Sequence, residues 1–226
     1  MKKTQLYILS FCLISCLSFG QTTKDYTDFQ TWYGASVKLD LAHQWAVTAQ
    51  YRMRLIDDAS YYRGSYLYGE VDKGLNNTFS LKGSYRLAMV DEGTFQRYAF
   101  GIEAKKAIKN FSFTLRPMIQ YQSQTFEGDD EQTDSDTYLR TRLTGKYKLT
   151  RKLDLYAYTE PFIKLENGQA LDKFRNSAGL KYEVFKDFKV NLFYIWQPDY
   201  SKKHVHNYHI AGLDLEFTLK PWKSKK

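Results

Sequence analysis

The stretch TFSLKGSYRLAM, Thr78 to Met89, alternates with a period of two. Phe79, Leu81, Gly83, Tyr85, Leu87 and Met89 are apolar or small, while Thr78, Ser80, Lys82, Ser84 and Arg86 between them are polar. Such alternation marks a β-strand with one apolar and one polar face. In a soluble barrel the apolar face turns inward to a core. In a membrane barrel it turns outward to lipid and the charges face the interior. The rest of the sequence decides between the two.

The same pattern recurs over 29–41, 45–55, 62–73, 96–106, 110–125, 137–149, 152–165, 173–184, 188–197 and 206–220, and no long helical period competes with it. Short turns at 42–44, 74–77, 108–110, 150–151 and 185–187 alternate with longer polar connections at 56–61, 90–95, 126–136, 166–172 and 198–205. This is the rhythm of an up-and-down barrel with tight periplasmic turns and larger external loops.

Charge follows the parity. Arg52, Arg54, Arg86, Arg97, Arg116, Arg140, Arg142 and Arg175 fall on the polar side of their runs. Asp40, Glu70, Asp72, Glu103, Asp154, Glu160, Glu183, Asp214 and Glu216 do the same, and Arg63 is the exception. A soluble barrel would alternate too, so strand length and aromatics decide. Most runs are 10 to 14 residues, longer than typical globular strands and sufficient for the roughly 9–11 tilted residues that cross a bilayer. Trp45, Phe111, Tyr147, Phe174, Tyr182, Phe188, Trp196 and Phe217 sit near run ends on the apolar side, where a membrane barrel carries its aromatic girdles. The expected fold is therefore all-β, an antiparallel up-and-down transmembrane β-barrel of 10–12 strands. Eleven runs is an odd number, whereas bacterial single-chain barrels have even counts. Either Thr22–Asp28 adds a strand, the preferred reading, or one run lies outside the barrel.

Residues 1–20 read as a signal peptide: Lys2 and Lys3, an apolar stretch from Leu6 to Leu17, then Ser18-Phe19-Gly20. The alternative is a lipobox at Leu13-Ile14-Ser15-Cys16, with Cys16 lipidated. The remainder, 21–226, is expected to form one domain. Cys12 and Cys16 are the only cysteines, so cleavage after Gly20 leaves no thiol, disulfide or thiolate ligand. Loss of Lys2 and Lys3 lowers the formal charge of +8 by two, to +6. In an exported chain that balance fits a merely basic surface or, as electrostatic partners, membrane lipids and lipopolysaccharide, with no nucleic acid as partner.

Gly212-Leu213-Asp214-Leu215-Glu216-Phe217 looks like the terminal signal read by the outer-membrane barrel assembly machinery, through Gly212, Leu215 and Phe217. The early Trp32 strand, Tyr51-Arg52-Met53-Arg54, Arg175-Asn176-Ser177-Ala178-Gly179-Leu180-Lys181-Tyr182 and the final strand resemble the domain of unknown function 2490 family of Bacteroidetes outer-membrane barrels. The resemblance implies a barrel and an outer-membrane location, and no particular activity.

Recognisable chemistry is sparse. His204 and His206 form an H-x-H pair whose imidazoles share one face of a strand, while His209 has the opposite parity, so no metal site is expected. A lipid-modifying barrel enzyme, of the phospholipase or lipid A deacylase type, would draw on His209, yet no serine is paired with it in sequence. The acidic loop Glu127–Asp136 lacks EF-hand spacing. Tyr61 and Tyr62, followed by Tyr66 and Tyr68, fit an interfacial belt better than a sugar-stacking site. The strongest feature is the inward charged network, Arg52, Arg54, Arg86, Arg97, Glu103, Arg116, Arg140, Arg142, Glu160, Arg175 and Glu183, expected to close much of the lumen by pairing. It suits a structural, ligand-binding or narrow-pore role. No catalytic residue and no cofactor are expected.

Overall fold

The computed structural model describes residues 26–91, 93–125, 134–165, 170–200 and 205–220. They form β1 (Tyr26–Asp40), β2 (Trp45–Ile56), β3 (Tyr61–Gly74), β4 (Phe79–Val90), β5 (Gly93–Ile108), β6 (Phe111–Thr125), β7 (Asp134–Lys148), β8 (Leu153–Lys164), β9 (Ala170–Phe185), β10 (Phe188–Asp199) and β11 (His206–Leu219). Each strand pairs antiparallel with the next, and β1 closes the ring against β11.

Neither an even strand count nor purely antiparallel pairing holds in this barrel. The run from Tyr26 to Asp28 does not make a separate strand but begins β1, where it pairs with His206–Tyr208. Eleven alternating strands leave the first and last pointing the same way, so the closing pair is parallel, from Tyr26 opposite His206 to Leu39 opposite Leu219. The leader region, 1–20, and Thr22–Asp25 lie outside the described residues.

The sheet is inside out. Phe100, Ile119 and Phe185 are about 60% exposed, whereas Lys82 is 6% and Glu160 1% exposed. In the Thr78–Met89 stretch, Phe79, Tyr85 and Met89 face outward while Lys82 and Ala88 are buried in the lumen. An apolar exterior around a charged interior is the arrangement of a transmembrane barrel. Among the described residues no helix is long and apolar enough to cross a membrane.

Turn chemistry explains one end of the barrel. Asn76 Oδ1 accepts from the amides of Thr78 and Phe79, and Thr150 Oγ1 accepts from those of Lys152 and Leu153. Both side chains fold the backbone back on itself without a glycine. Lys109 and Asp187 take left-handed φ values of 53° and 67° in the two tightest turns of that end. The opposite connections are less uniform than the sequence suggests. β4 and β5 continue to Val90 opposite Gly93, so the expected long loop at 90–95 shrinks to Asp91 and Glu92. β7 likewise starts at Asp134, taking three residues from the expected acidic loop. Residues 126–133, with the rest of that loop, lie outside the described residues.

Arg63, the arginine on the apolar parity, has a local cause. The β2–β3 register slips between Arg54 and Leu55, whose partners are Gly64 and Tyr62. Arg63 is the extra residue of a β-bulge. Gly64 beside it has φ +147°, and a Cβ there would meet the Met89 carbonyl oxygen at 2.1 Å, so only glycine fits.

Candidate functional site

Inward-facing side chains from all parts of the ring enclose a cavity of about 480 Å³. Its wall includes all eight arginines of the polar parity, with Lys146 and Lys181, but only two carboxylates, Glu70 and Asp214. A third, Glu160, lies behind the arginines. Period-two alternation puts these groups inside, and cross-strand register brings them level.

Two zones differ in how charge is balanced. Toward the short-turn end, lysines meet carboxylates: Lys82 Nζ lies 2.5 Å from Asp72, 3.4 Å from Glu70 and 3.8 Å from Glu103. Lys146 pairs with Asp154 at 3.1 Å and Lys181 with Glu216 at 2.7 Å. Lys189 lies 3.9 Å from Glu183. Glu103 and Glu183 therefore serve lysines and are not brought to the arginines.

Further along the axis, arginine dominates. Glu160 is the hub of one wall: each of its carboxylate oxygens accepts from a guanidinium at 2.8 Å, Oε1 from Arg140 and Oε2 from Arg142, with Arg175 at 4.0 Å. Arg116 is 3.8 Å from Glu70. Arg52 Nη2 donates to Asp214 Oδ2 at 2.6 Å. This last bond passes over β1, where Gly34 is in register with both Arg52 and Asp214, and its missing side chain leaves the path open.

Three arginines have no carboxylate within ion-pair distance among the described residues: Arg54, Arg86 and Arg97. The Arg54 guanidinium lies between two rings, 3.8 Å from the centre of Trp32 and 3.9 Å from that of Tyr66. The Arg86 guanidinium also lies over the Tyr66 ring, 5.4 Å from its centre. Arg97 donates from Nε and Nη2 to Gln122 Oε1, at 3.2 and 2.6 Å. Arg175 grips Gln197 in the same way, at 2.9 and 2.6 Å. A glutamine oxygen orients a guanidinium but leaves its charge intact.

Sequence reasoning located the arginines and passed over their neutral holders. Trp32, Tyr66, Gln120, Gln122 and Gln197 share the inward parity of their strands, which is the only signal they give. Trp32 packs with Ile195 and Ile210 into an apolar patch inside the barrel, beside Phe193 and Tyr208. Of the four tyrosines considered together, Tyr62 faces outward and Tyr61 is exposed at the strand end opposite Ile56, whereas Tyr66 and Tyr68 line the lumen and not the expected interfacial belt.

The histidine cluster divides. His204 lies outside the described residues. His206 faces Tyr26 at a ring distance of 4.9 Å, and His209 Nδ1 shares a hydrogen bond of 2.5 Å with the Tyr194 hydroxyl on the outer surface. Among the described residues no group of three or more potential ligands is placed to hold a metal ion.

Comparison with known proteins fits this geometry. The model for "Protein of unknown function (DUF2490)" matches residues 29–208. The chain belongs to this family. The DUF2490 barrel is also similar to a solved structure of the NanC porin, with a TM-score of 0.54 and 12% identity over 85% of this chain and 99% of that one. At that identity the likeness speaks to the fold, a porin-like barrel. No curated protein matches.

Proposed function

We propose that this DUF2490 protein is a small outer-membrane barrel that binds small anions in a constricted, arginine-lined lumen and passes them slowly, without an enzymatic step. The observation that carries the reading is the charge mismatch around the cavity, where eight arginines meet three carboxylates, Glu70, Asp214 and Glu160. A confined wall of one sign concentrates solutes of the other. Constriction follows from arginines that reach between distant strands, Arg116 on β6 to Glu70 on β3 at 3.8 Å and Arg175 on β9 to the Trp32 ring on β1 at 5.8 Å. Lipid and lipopolysaccharide surround the exterior on this reading, the barrel assembly machinery inserts it, and nucleic acid plays no part.

The protein should fractionate with the outer membrane and migrate differently on gels before and after heating. In planar bilayers under a salt gradient it should show small conductance and a reversal potential on the anion side. Replacing Arg140 and Arg142 with alanine should enlarge the conductance. It should also lower the temperature at which the folded gel band converts, because Glu160 is left buried without its two nearest partners. Large, steady wild-type conductance would overturn the constriction, and cation selectivity would overturn the anion reading.

A further inference from the structure

We propose that Arg54, Arg86 and Arg97 form a binding site for an oxyanion carrying two or more negative charges, such as a phosphate monoester or a polycarboxylate. The proposal deepens the anion reading above and rests on it. It begins with a repulsion that the fold retains. Arg86 on β4 and Arg97 on β5 are register partners, directly opposite each other on the inward face. Like charges in that relation are destabilising. Arg54, on β2, is within electrostatic reach of Arg52, Arg86 and Arg175, and Arg97 within reach of Arg86, Arg140, Arg175 and Arg54.

Elsewhere in this lumen the same problem is solved with carboxylates. Glu160 gathers Arg140, Arg142 and Arg175, and Asp214 takes Arg52. On the β2–β5 wall the neighbours are instead two aromatic faces and a neutral amide. Trp32 and Tyr66 clamp Arg54 from both sides, and Gln122 holds Arg97 by its Nε–Nη2 edge. Such contacts fix where each guanidinium points while leaving its full charge. The Nε atoms of Arg54 and Arg86 are buried without a hydrogen-bond partner, as are those of Arg52, Arg140 and Arg142, but these last three have a carboxylate on the rest of the fork. A planar fork that is oriented, charged and short of acceptors is built for an oxyanion. Three such forks around one cavity favour a multiply charged guest over a singly charged one. The cavity, about 480 Å³, falls within the range of small-molecule sites.

The decisive variant is Gln122→Glu, which keeps the shape of the side chain and supplies the missing internal anion. The folded barrel in detergent is titrated with pyrophosphate, citrate and acetate at equal ionic strength, and the conversion temperature of its folded gel band is read with each. The wild type should bind pyrophosphate and citrate at least about tenfold more tightly than acetate and be stabilised more by them. Gln122→Glu should be more stable than wild type without added anion, and should lose about tenfold or more in affinity for both probes. Arg86→Gln should lose the same preference, whereas Lys189→Gln, which pairs with Glu183 outside the cavity wall, should retain it. Stronger response to pyrophosphate than to citrate would assign the site to phosphate, and the reverse to carboxylates. Equal response to all three anions would overturn the site, as would unchanged binding in Gln122→Glu. If the barrel remained anion-selective in bilayers at the same time, the broader function would stand without it. A variant that fails to fold leaves the wild-type comparison to decide, since that arm alone can refute the preference.

Discussion

At Gly34 one missing methyl group determines whether a buried ion pair exists. A Cβ at Gly34 would sit 2.2 Å from Asp214 Oδ1 and 3.3 Å from the Tyr51 carbonyl oxygen. Gly34→Ala must push the Asp214 carboxylate away from Arg52, leaving both groups confined with a broken bond. The expected loss is about 1–3 kcal/mol, read as a lower conversion temperature of the folded band. Asp214→Asn should cost a comparable amount, and the double variant less than the sum, because both changes remove one interaction. Additive losses would show that Gly34 matters for some other reason. The sequence could not disclose this pair. Inward parity placed Arg52 and Asp214 on the same side of the sheet, but their meeting across β1 depends on closure between residues 162 positions apart. For the same reason Arg140 and Arg142 could be read as a charged pair on one strand, while Gln122 and Gln197, neutral and unremarkable in sequence, carried no mark of the guanidiniums they hold.

Among the strands, the legible and illegible parts separate by range of interaction. Period-two alternation is local, so all eleven runs were visible, as were the tight turns at Asn76 and Thr150. Where strands end was harder to see. Outside the apolar band nothing in the alternation forbids further pairing, and β4, β5 and β7 continue into segments that read as polar loop. Closure is the least local property of all. In the β1–β11 register, Thr31 and Ala211 are partners on the outward parity of their strands. Neighbouring strands lie about 4.8 Å apart, within the Cα separation a disulfide accepts, and second neighbours about twice that, beyond it. Cysteines at Thr31 and Ala211, in a chain beginning at Gln21, should therefore cross-link under mild oxidation and shift the band on a non-reducing gel. A further strand between β1 and β11 would abolish the cross-link, and only a parallel eleven-strand seam in this register permits it.

Across the whole molecule, charge is graded along the barrel axis. Lys82, Lys146, Lys181 and Lys189 meet their carboxylates toward the short-turn end, and the arginine belt lies between them and a rim at the other end. That rim carries Asp28, Asp172 and Lys173; Asp28 accepts from Gln30 and from the Asp58 amide, and Lys173 pairs with Asp172 at 2.8 Å. A solute entering from the rim meets Asp28 and Asp172 with Lys173, then the arginines, then a zone in which four lysines meet six carboxylates. The arginine zone is thus set inside the barrel, between two ends that carry carboxylates. Which mouth faces outside follows, on the outer-membrane reading, from the rule that the tighter turns are periplasmic. The β4–β5 connection is as short as the turns opposite, so the rule rests on the connections after β6, β8 and β10. Ser60, exposed at the rim end, and Lys186, exposed in the tight turn at the other end, provide the test. Ser60→Cys should react with a membrane-impermeant maleimide on intact cells, and Lys186→Cys only after the outer membrane is opened. The reverse pattern would invert the barrel, place the lysine zone outermost, and leave the rim Asp28 and Asp172 facing the periplasm.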